Sequence, residues 1–191
     1  VLMKTEEDIV NVVQKDVWMM EILYAAKSLN LPDWWVCAGF VRAKVWDTLH
    51  SFSKRTHLPD VDVIYFDKRN LSEETEKGYE AQLRSLMPAI PWSVKNEARM
   101  HLVNDIPPFK SSVDAISKFP ETATALGLKI DENNEIILTA PCGIKDVLAL
   151  KIKPTPYFAE NEKLCEIYKQ RVTKKSWKSI WPRVEVIQSN V

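Results

Sequence analysis

The sequence has no excess of either charge: 26 Lys and Arg stand against 26 Asp and Glu. That balance argues against nucleic-acid binding driven by overall charge and leaves only local patches. Cysteine is sparse. Cys37, Cys142 and Cys165 are far apart, so they form neither a CxxC metal pattern nor an even disulfide framework. Buried reduced thiols are the expected state. No apolar run approaches the ~18 residues needed to span a membrane. The first residues, VLMKTEED, lack the long apolar segment of a signal peptide. A cytoplasmic protein without a membrane partner is expected. Internal repeats, low-complexity tracts and a clear linker are also absent.

What is present suits a folded domain. The 191 residues are 46% hydrophobic and 27% charged, enough for a real core. One domain over 1–191 is expected. The C-terminal extension 141–191 is counted within it, because Pro141 and Gly143 are too few to make a linker. Seven Trp in so small a chain are expected to be core or helix anchors, Trp177 and Trp181 among them.

Residues 5–29 read as one helix, with Thr5 as cap and Ile9, Val12, Val13, Val17, Met20, Leu23 and Tyr24 on one stripe. WWVCAG at 34–39 reads as a buried strand in which Gly39 permits a sharp turn. A helix follows, FVRAKVWDTLHSF. Ser72 opens a helix that runs to about Met87. WSVKN at 92–96 reads as a strand. Pro120-Glu121-Thr122 reads as a helix start, with Gly127 as its end. Strands around DENNE form a hairpin. The last helix holds Leu164, Ile167, Tyr168 and Val172 and ends in the basic RVTKKSWKSIWPR. Strands alternating with helices predict an α/β (α+β) fold with a mixed central sheet flanked by helices.

The stretch LPDVDVIYFD at 58–67 is strand-like in its Val, Ile, Tyr and Phe. In a strand, Asp60 and Asp62 share one face with Cα atoms about 6.5–7 Å apart. Two ionised carboxylates at that spacing repel. Solvent, a basic side chain or a cation must offset the repulsion. Three elements now stand in order: the glycine turn at Gly39 with Arg42 in the helix behind it, a basic loop SKRTHLP, and the acidic strand. A glycine turn lets phosphate approach the backbone, and the helix start offers free N–H groups. A carboxylate pair suits Mg²⁺ shared with substrate phosphates. The order is that of a triphosphate-plus-metal site.

Other clusters have two readings each. Lys95, Asn96, Arg99 and His101 gather at a strand–helix junction. Lys95 and Arg99 could neutralise phosphates and Asn96 could bond a ribose or base, or the group is a structural network. Lys54, Arg55 and His57 are a phosphate patch or a solvated loop. Asp47 and His50, three apart on a helix, lack a visible third partner and are read as structural.

AGFVRAKVWDTLH followed by LPDVDVIYFD resembles the signature of the polymerase-β-like nucleotidyltransferase superfamily. Gly39-Phe40-Val41-Arg42 is similar to the Gly-Gly-x-Val-Arg-Asp motif in the head domain of CCA-adding enzymes. From about residue 35 the chain also resembles a bacterial family of nucleotidyltransferase-like proteins, in VWDTLH, DVDVIYFD, PWSVKNEARMH, FPETATALG and APCGIKDVLALKIKPTP. The resemblance implies the polymerase-β-like fold and transfer of a nucleoside monophosphate from an NTP to an acceptor, with release of pyrophosphate. It implies that Asp60 and Asp62 are catalytic and bind Mg²⁺, that Gly39 lies against the triphosphate, and that Arg42 contacts nucleotide or stabilises the turn. Lys95, Asn96 and Arg99 join the nucleotide-binding set.

The sequence departs from the pattern in places. The first motif glycine is Ala38, and the Asp after Val-Arg is Ala43. Many superfamily members use a third carboxylate on a later strand. WSVKN has none; Glu97 lies just after it and Asp67 just after the acidic strand. The acceptor is left open among RNA, protein and a small molecule, and tRNA binding by this chain alone is not expected. Two rivals stay open: a non-catalytic nucleotide- or metal-binding module on the same fold, and a protein-interaction domain.

Overall fold

The structure, a computed structural model, describes residues 2–188. It opens with α1 (Glu6–Gln14) and α2 (Val17–Ser28), where one continuous helix was expected. Thr5 and Asp8 form a reciprocal capping box on α1. The break comes at Asp16, which leaves helical geometry (φ −96°, ψ 99°) so that its carboxylate can accept from the Met19 N–H and start α2. The break also turns the apolar stripe. Val17 is 70% exposed and Tyr24 45%, whereas Met19, Ile22 and Ala26 are fully buried.

The chain continues through β1 (Trp35–Cys37), α3 (Gly39–Leu49), β2 (Val61–Tyr65), α4 (Glu73–Leu86), β3 (Trp92–Asn96) and α5 (Met100–Asn104). Then come α6 (Ser112–Ser117), β4 (Gly127–Ile130), β5 (Ile136–Thr139), α7 (Lys145–Leu148), β6 (Lys151–Ile152) and α8 (Pro156–Ala159). It closes with α9 (Glu162–Lys175), α10 (Trp177–Ile180) and β7 (Glu185–Val186). The first five strands form one mixed sheet in the order β3-β2-β1-β4-β5. Within this sheet β2 and β3 are the parallel pair, joined by the α4 crossover that parallel neighbours need, and β6 and β7 form a separate two-stranded parallel sheet. β4 and β5 form the expected hairpin. The α/β fold with a mixed sheet flanked by helices is therefore the fold of this chain.

Register decides what each face carries. Cys37, Asp62 and Ser93 lie abreast, as do Trp35, Ile64 and Lys95. Opposite residues point to the same side, so these six share one face. The other face holds Val36, Val61, Val63, Tyr65, Val94 and Leu128 in the main core. Val147, Ile152, Tyr168, Trp177, Trp181 and Val184 belong to that same core, which ties the C-terminal elements to the sheet. Trp46 packs edge-on against both Trp177 and Trp181. Trp181 donates to Asp47 Oδ1 at 2.8 Å. Both C-terminal tryptophans and Asp47 are structural, as the sequence suggests.

Residues 120–126 correct a second expectation. Despite the Pro-Glu-Thr start they form turns, not a helix. Glu121 bridges to Pro154, Thr122 N–H donates to Lys153 O, and Thr155 N–H donates to Pro120 O. Pairing with 153–155 takes the backbone groups that a helix would use. The segment crosses the cleft face of the sheet, where Ala125 and Ile116 cover Trp35 and Ile64.

Candidate active site

β2 begins at Val61, so Asp60 stands just before the strand and Asp62 is its second residue. Asp60 is exposed and Asp62 half-buried. The residues abreast of Asp62 are Cys37 and Ser93, both uncharged. The Asp62 carboxyl is pushed up to about 6, first by burial and then by the charge of Asp60. Arg42, Lys175 and Arg171 oppose that rise from a distance. Burial also pushes the Cys37 thiol well up, so it stands beside Asp62 as an inert, protonated group.

The turn into α3 brings the backbone to this pair. Ala38 takes φ 61° and ψ −124°, a conformation rare outside glycine. The left-handed residue of the turn is thus Ala38, not Gly39 as expected. No side chain caps α3, and Ala38, the residue before it, forms part of the cleft wall. Gly39 is needed for another reason: a Cβ there would meet an Arg42 guanidinium nitrogen at 3.1 Å. Arg42 is buried behind the turn, donating to Thr124 Oγ1 at 2.9 Å and lying over the Trp177 and Trp46 rings. Burial lowers it to about 10, which leaves it charged at neutral pH. It lends positive potential to the cleft from beneath.

The opposite wall comes from α9, which the sequence reading did not place here. Arg171 lines the cleft and is tied to the fully buried Glu121. Lys175, one helical turn on, feels Asp60; burial and then the cations Arg171 and Arg42 lower its basicity. The available signal was the four-residue spacing of Arg171 and Lys175 in the last helix. Nothing in the sequence tied that helix to Asp60.

The cleft holds about 210 Å³ and runs along β3 from Ser93 past Lys95 to Glu97. The Glu97 carboxyl is pushed up to about 7 by burial, Glu76 and Asp62, against the pull of Lys95. Glu97 lies four residues from Ser93, roughly 13 Å along the strand direction. Among the described residues no group of three or more His, Cys, Asp or Glu side chains is arranged to hold a metal.

The other residues singled out by sequence have partners of their own. Asn96 is fully buried on the opposite face, bonding the Asp67 and Asn70 carbonyls and the Asp67 and Ala98 N–H groups. Arg99 pairs with Glu76 at 2.8 Å. Arg55 clamps Asp16 at 2.9 and 2.8 Å and lies over Trp18. Asp62, Lys95 and Ala38 of the turn line the cleft and Asp60 stands beside Asp62; Gly39, Arg42, Asn96 and Arg99 are not part of the cleft wall.

A family model described as nucleotidyltransferase matches residues 24–186. The chain belongs to this nucleotidyltransferase family. An NMR structure described as revealing a CCA-adding enzyme head domain is 36% identical over 97% of both chains, with a TM-score of 0.88. A CCA-adding enzyme in its apo form aligns at 9% identity and TM-score 0.57 over 95% of this chain and 43% of its own. A tRNA-processing enzyme aligns at 14% and 0.51 over 98% and 46%. The chain therefore spans less than half of those two enzymes and shares their fold. No curated protein matches the sequence. Among the described residues no helix is long and apolar enough to cross a membrane. Family and head-domain likeness assign the chain a role in nucleotidyl transfer.

Proposed function

We propose that the chain is a Mg²⁺-dependent nucleotidyltransferase that moves a nucleoside monophosphate from an NTP to an acceptor and releases pyrophosphate. One observation carries this reading: Ala38 before the uncapped start of α3, Asp62 and Arg171 line one cleft, with Asp60 and Lys175 near enough for their charges to act on Asp62. The acidic pair fits a hard divalent cation, since it offers oxygen donors whose mutual repulsion and burial a cation would relieve. Mg²⁺ held by Asp60 and Asp62 would supply neutralisation of phosphate charge as the α-phosphorus is attacked. The Ala38 N–H is held by Leu126 O, so the triphosphate would meet the N–H groups at the start of α3 instead. Arg171 and Lys175 hold the pyrophosphate end, and Arg42 adds charge from below. Lys95 faces the same cleft and serves the nucleotide. Asn96 and Arg99 serve it only indirectly, by fixing the end of β3. A tRNA acceptor is not proposed for this chain alone, given its zero net charge. Localisation to the cytoplasm is part of the same proposal.

The test is an amide-shift titration with ATP, CTP, GTP and UTP, with and without Mg²⁺, followed by pyrophosphate release. Mg²⁺-dependent shifts at Gly39, Arg42, Asp60 and Asp62 are expected. A folded protein that shows no shift at millimolar nucleotide would sink the reading. A non-catalytic nucleotide-binding module is the second reading. The uncharged Ser93, abreast of Asp62 where a further carboxylate would complete the pair, favours it. Binding without turnover over a panel of acceptors would select it.

A further inference from the structure

A second cavity of about 670 Å³ opens from the far end of the cleft. The two share Glu97, Phe119 and Pro120 as a common wall. We propose that this second cavity is the acceptor site and that it takes a neutral small molecule with a planar or apolar body and a hydroxyl at one end. The assignment rests on the nucleotidyl-transfer reading of the adjoining cleft.

Direction comes first. Asp62 and Arg171 line the cleft and not the second cavity, and Lys175 lies one turn beyond Arg171 on α9, away from Ile167. The cations that would hold pyrophosphate therefore stand at the acidic-pair end. In an in-line displacement the attacking oxygen enters opposite the leaving group. That places the acceptor toward Glu97, where the second cavity begins. The helix α9 repeats this polarity along its length. Leu164 and Ile167 line the second cavity, and Arg171, one turn beyond Ile167, lines the first. One helix thus turns an apolar surface to the acceptor and a basic surface to the phosphates.

The chemistry of the walls comes next. Phe109, Phe119, Tyr157 and Phe158 line the second cavity. Its charged residues are Glu97, Asp105, Lys118 and Lys163, two of each sign, so it offers no track for a polyanion. Lys118 is already paired with Asp114 at 3.2 Å and lies over the Phe109 and Tyr157 rings. The volume is that of an ordinary small-molecule site. Ile167 is 42% exposed at its edge, an apolar side chain open to an incoming ligand. In the reaction the acceptor hydroxyl oxygen bonds to the α-phosphorus, the bond from that phosphorus to the pyrophosphate oxygen breaks, pyrophosphate leaves with the electron pair, and the hydroxyl proton goes to water.

The test uses 2-naphthol as a neutral planar hydroxyl probe, a short single-stranded oligoribonucleotide, and Mg-ATP, each titrated into labelled full chain and read by amide shifts. Ile167→Glu is the variant, chosen because its exposure spares the core; unchanged amide dispersion elsewhere reports its fold. Naphthol shifts at Met100, Phe119 and Ile167, about tenfold or more weaker binding in Ile167→Glu, and no displacement by the oligonucleotide are expected. Absence of those shifts, their persistence in the variant, or their replacement by oligonucleotide shifts would overturn the acceptor assignment while Mg-ATP shifts at Gly39 and Asp62 remain. Pocket shifts with no Mg-ATP shifts would instead remove the nucleotidyl reading and the acceptor role with it.

Discussion

Two shielded aspartates in this protein meet opposite fates. Asp16, between the first two helices, is gripped by Arg55 at two points and by Lys44 at 2.9 Å, and it also caps the Met19 N–H. Burial alone would raise its carboxyl, yet the bonds to Arg55, Lys44 and Met19 carry it down to about 2. Asp62 is lifted to about 6, because burial and Asp60 act on it and only distant cations answer. Burial is common to both; satisfaction is not. A buried acid whose partners are all in place is part of the scaffold, and one whose partners are missing is waiting for a ligand.

The contrast can be broken most sharply at the cleft. Replacing Asp60 and Asp62 by Asn together should abolish Mg²⁺-dependent nucleotide shifts and cut pyrophosphate release on the order of 100-fold or more, with the fold intact. Retained turnover would show that the pair is not the metal site. Next in size is Asp16→Ala. It leaves two basic side chains without a partner and α2 without a cap, at about 2–3 kcal/mol of stability in urea unfolding. Nucleotide shifts at Gly39 should survive it.

The two acids should also respond to pH in opposite directions. Asp16 has a folded value below its ordinary 3.8, so its contribution is present above about 4 and is lost as pH falls through 2. Asp62 has a folded value above 3.8, so the fold favours its protonated form. That contribution is whole below about 4 and is lost as pH rises through 6. Asp62→Asn should therefore stabilise the Mg²⁺-free protein at pH 8 by about 1–2 kcal/mol and do little at pH 4. Adding Mg²⁺ at pH 8 should raise the melting temperature of the wild type and leave that variant unmoved. The smallest effect is expected from Lys175→Gln. It should weaken Mg-NTP binding about five- to tenfold at low ionic strength, and the gap should narrow in salt.

The sequence made legible what local pattern controls. The Val-Ile-Tyr-Phe strand around Asp62, the WSVKN strand and the hairpin around DENNE follow from alternation and turn residues. What it hid depends on partners far along the chain. The break at Asp16 is held by Arg55, 39 residues later. Residues 120–126 carry a helix-start signature, but Glu121 is spent on Arg171, 50 residues away. The acidic half of the site was readable because its two aspartates are neighbours in sequence. The basic half was not, since Arg171 and Lys175 join them only when α9 folds back to the cleft. Asn96 and Arg99 looked like ligands for phosphate or ribose because their chemistry is right; only the direction of the strand's side chains shows Asn96 facing the core.

The backbone at Ala38 has one more consequence. A non-glycine residue held at φ 61° and ψ −124° costs on the order of 1–3 kcal/mol, which the rest of the fold must over-determine. The turn beside the acidic pair is therefore a loaded spring whose release is a single methyl group away. Ala38→Gly would unload it, and the fold would gain rigidity margin elsewhere while the turn itself gained freedom. In engineering terms the protein carries an unused reserve of thermal tolerance in the turn that borders its cleft.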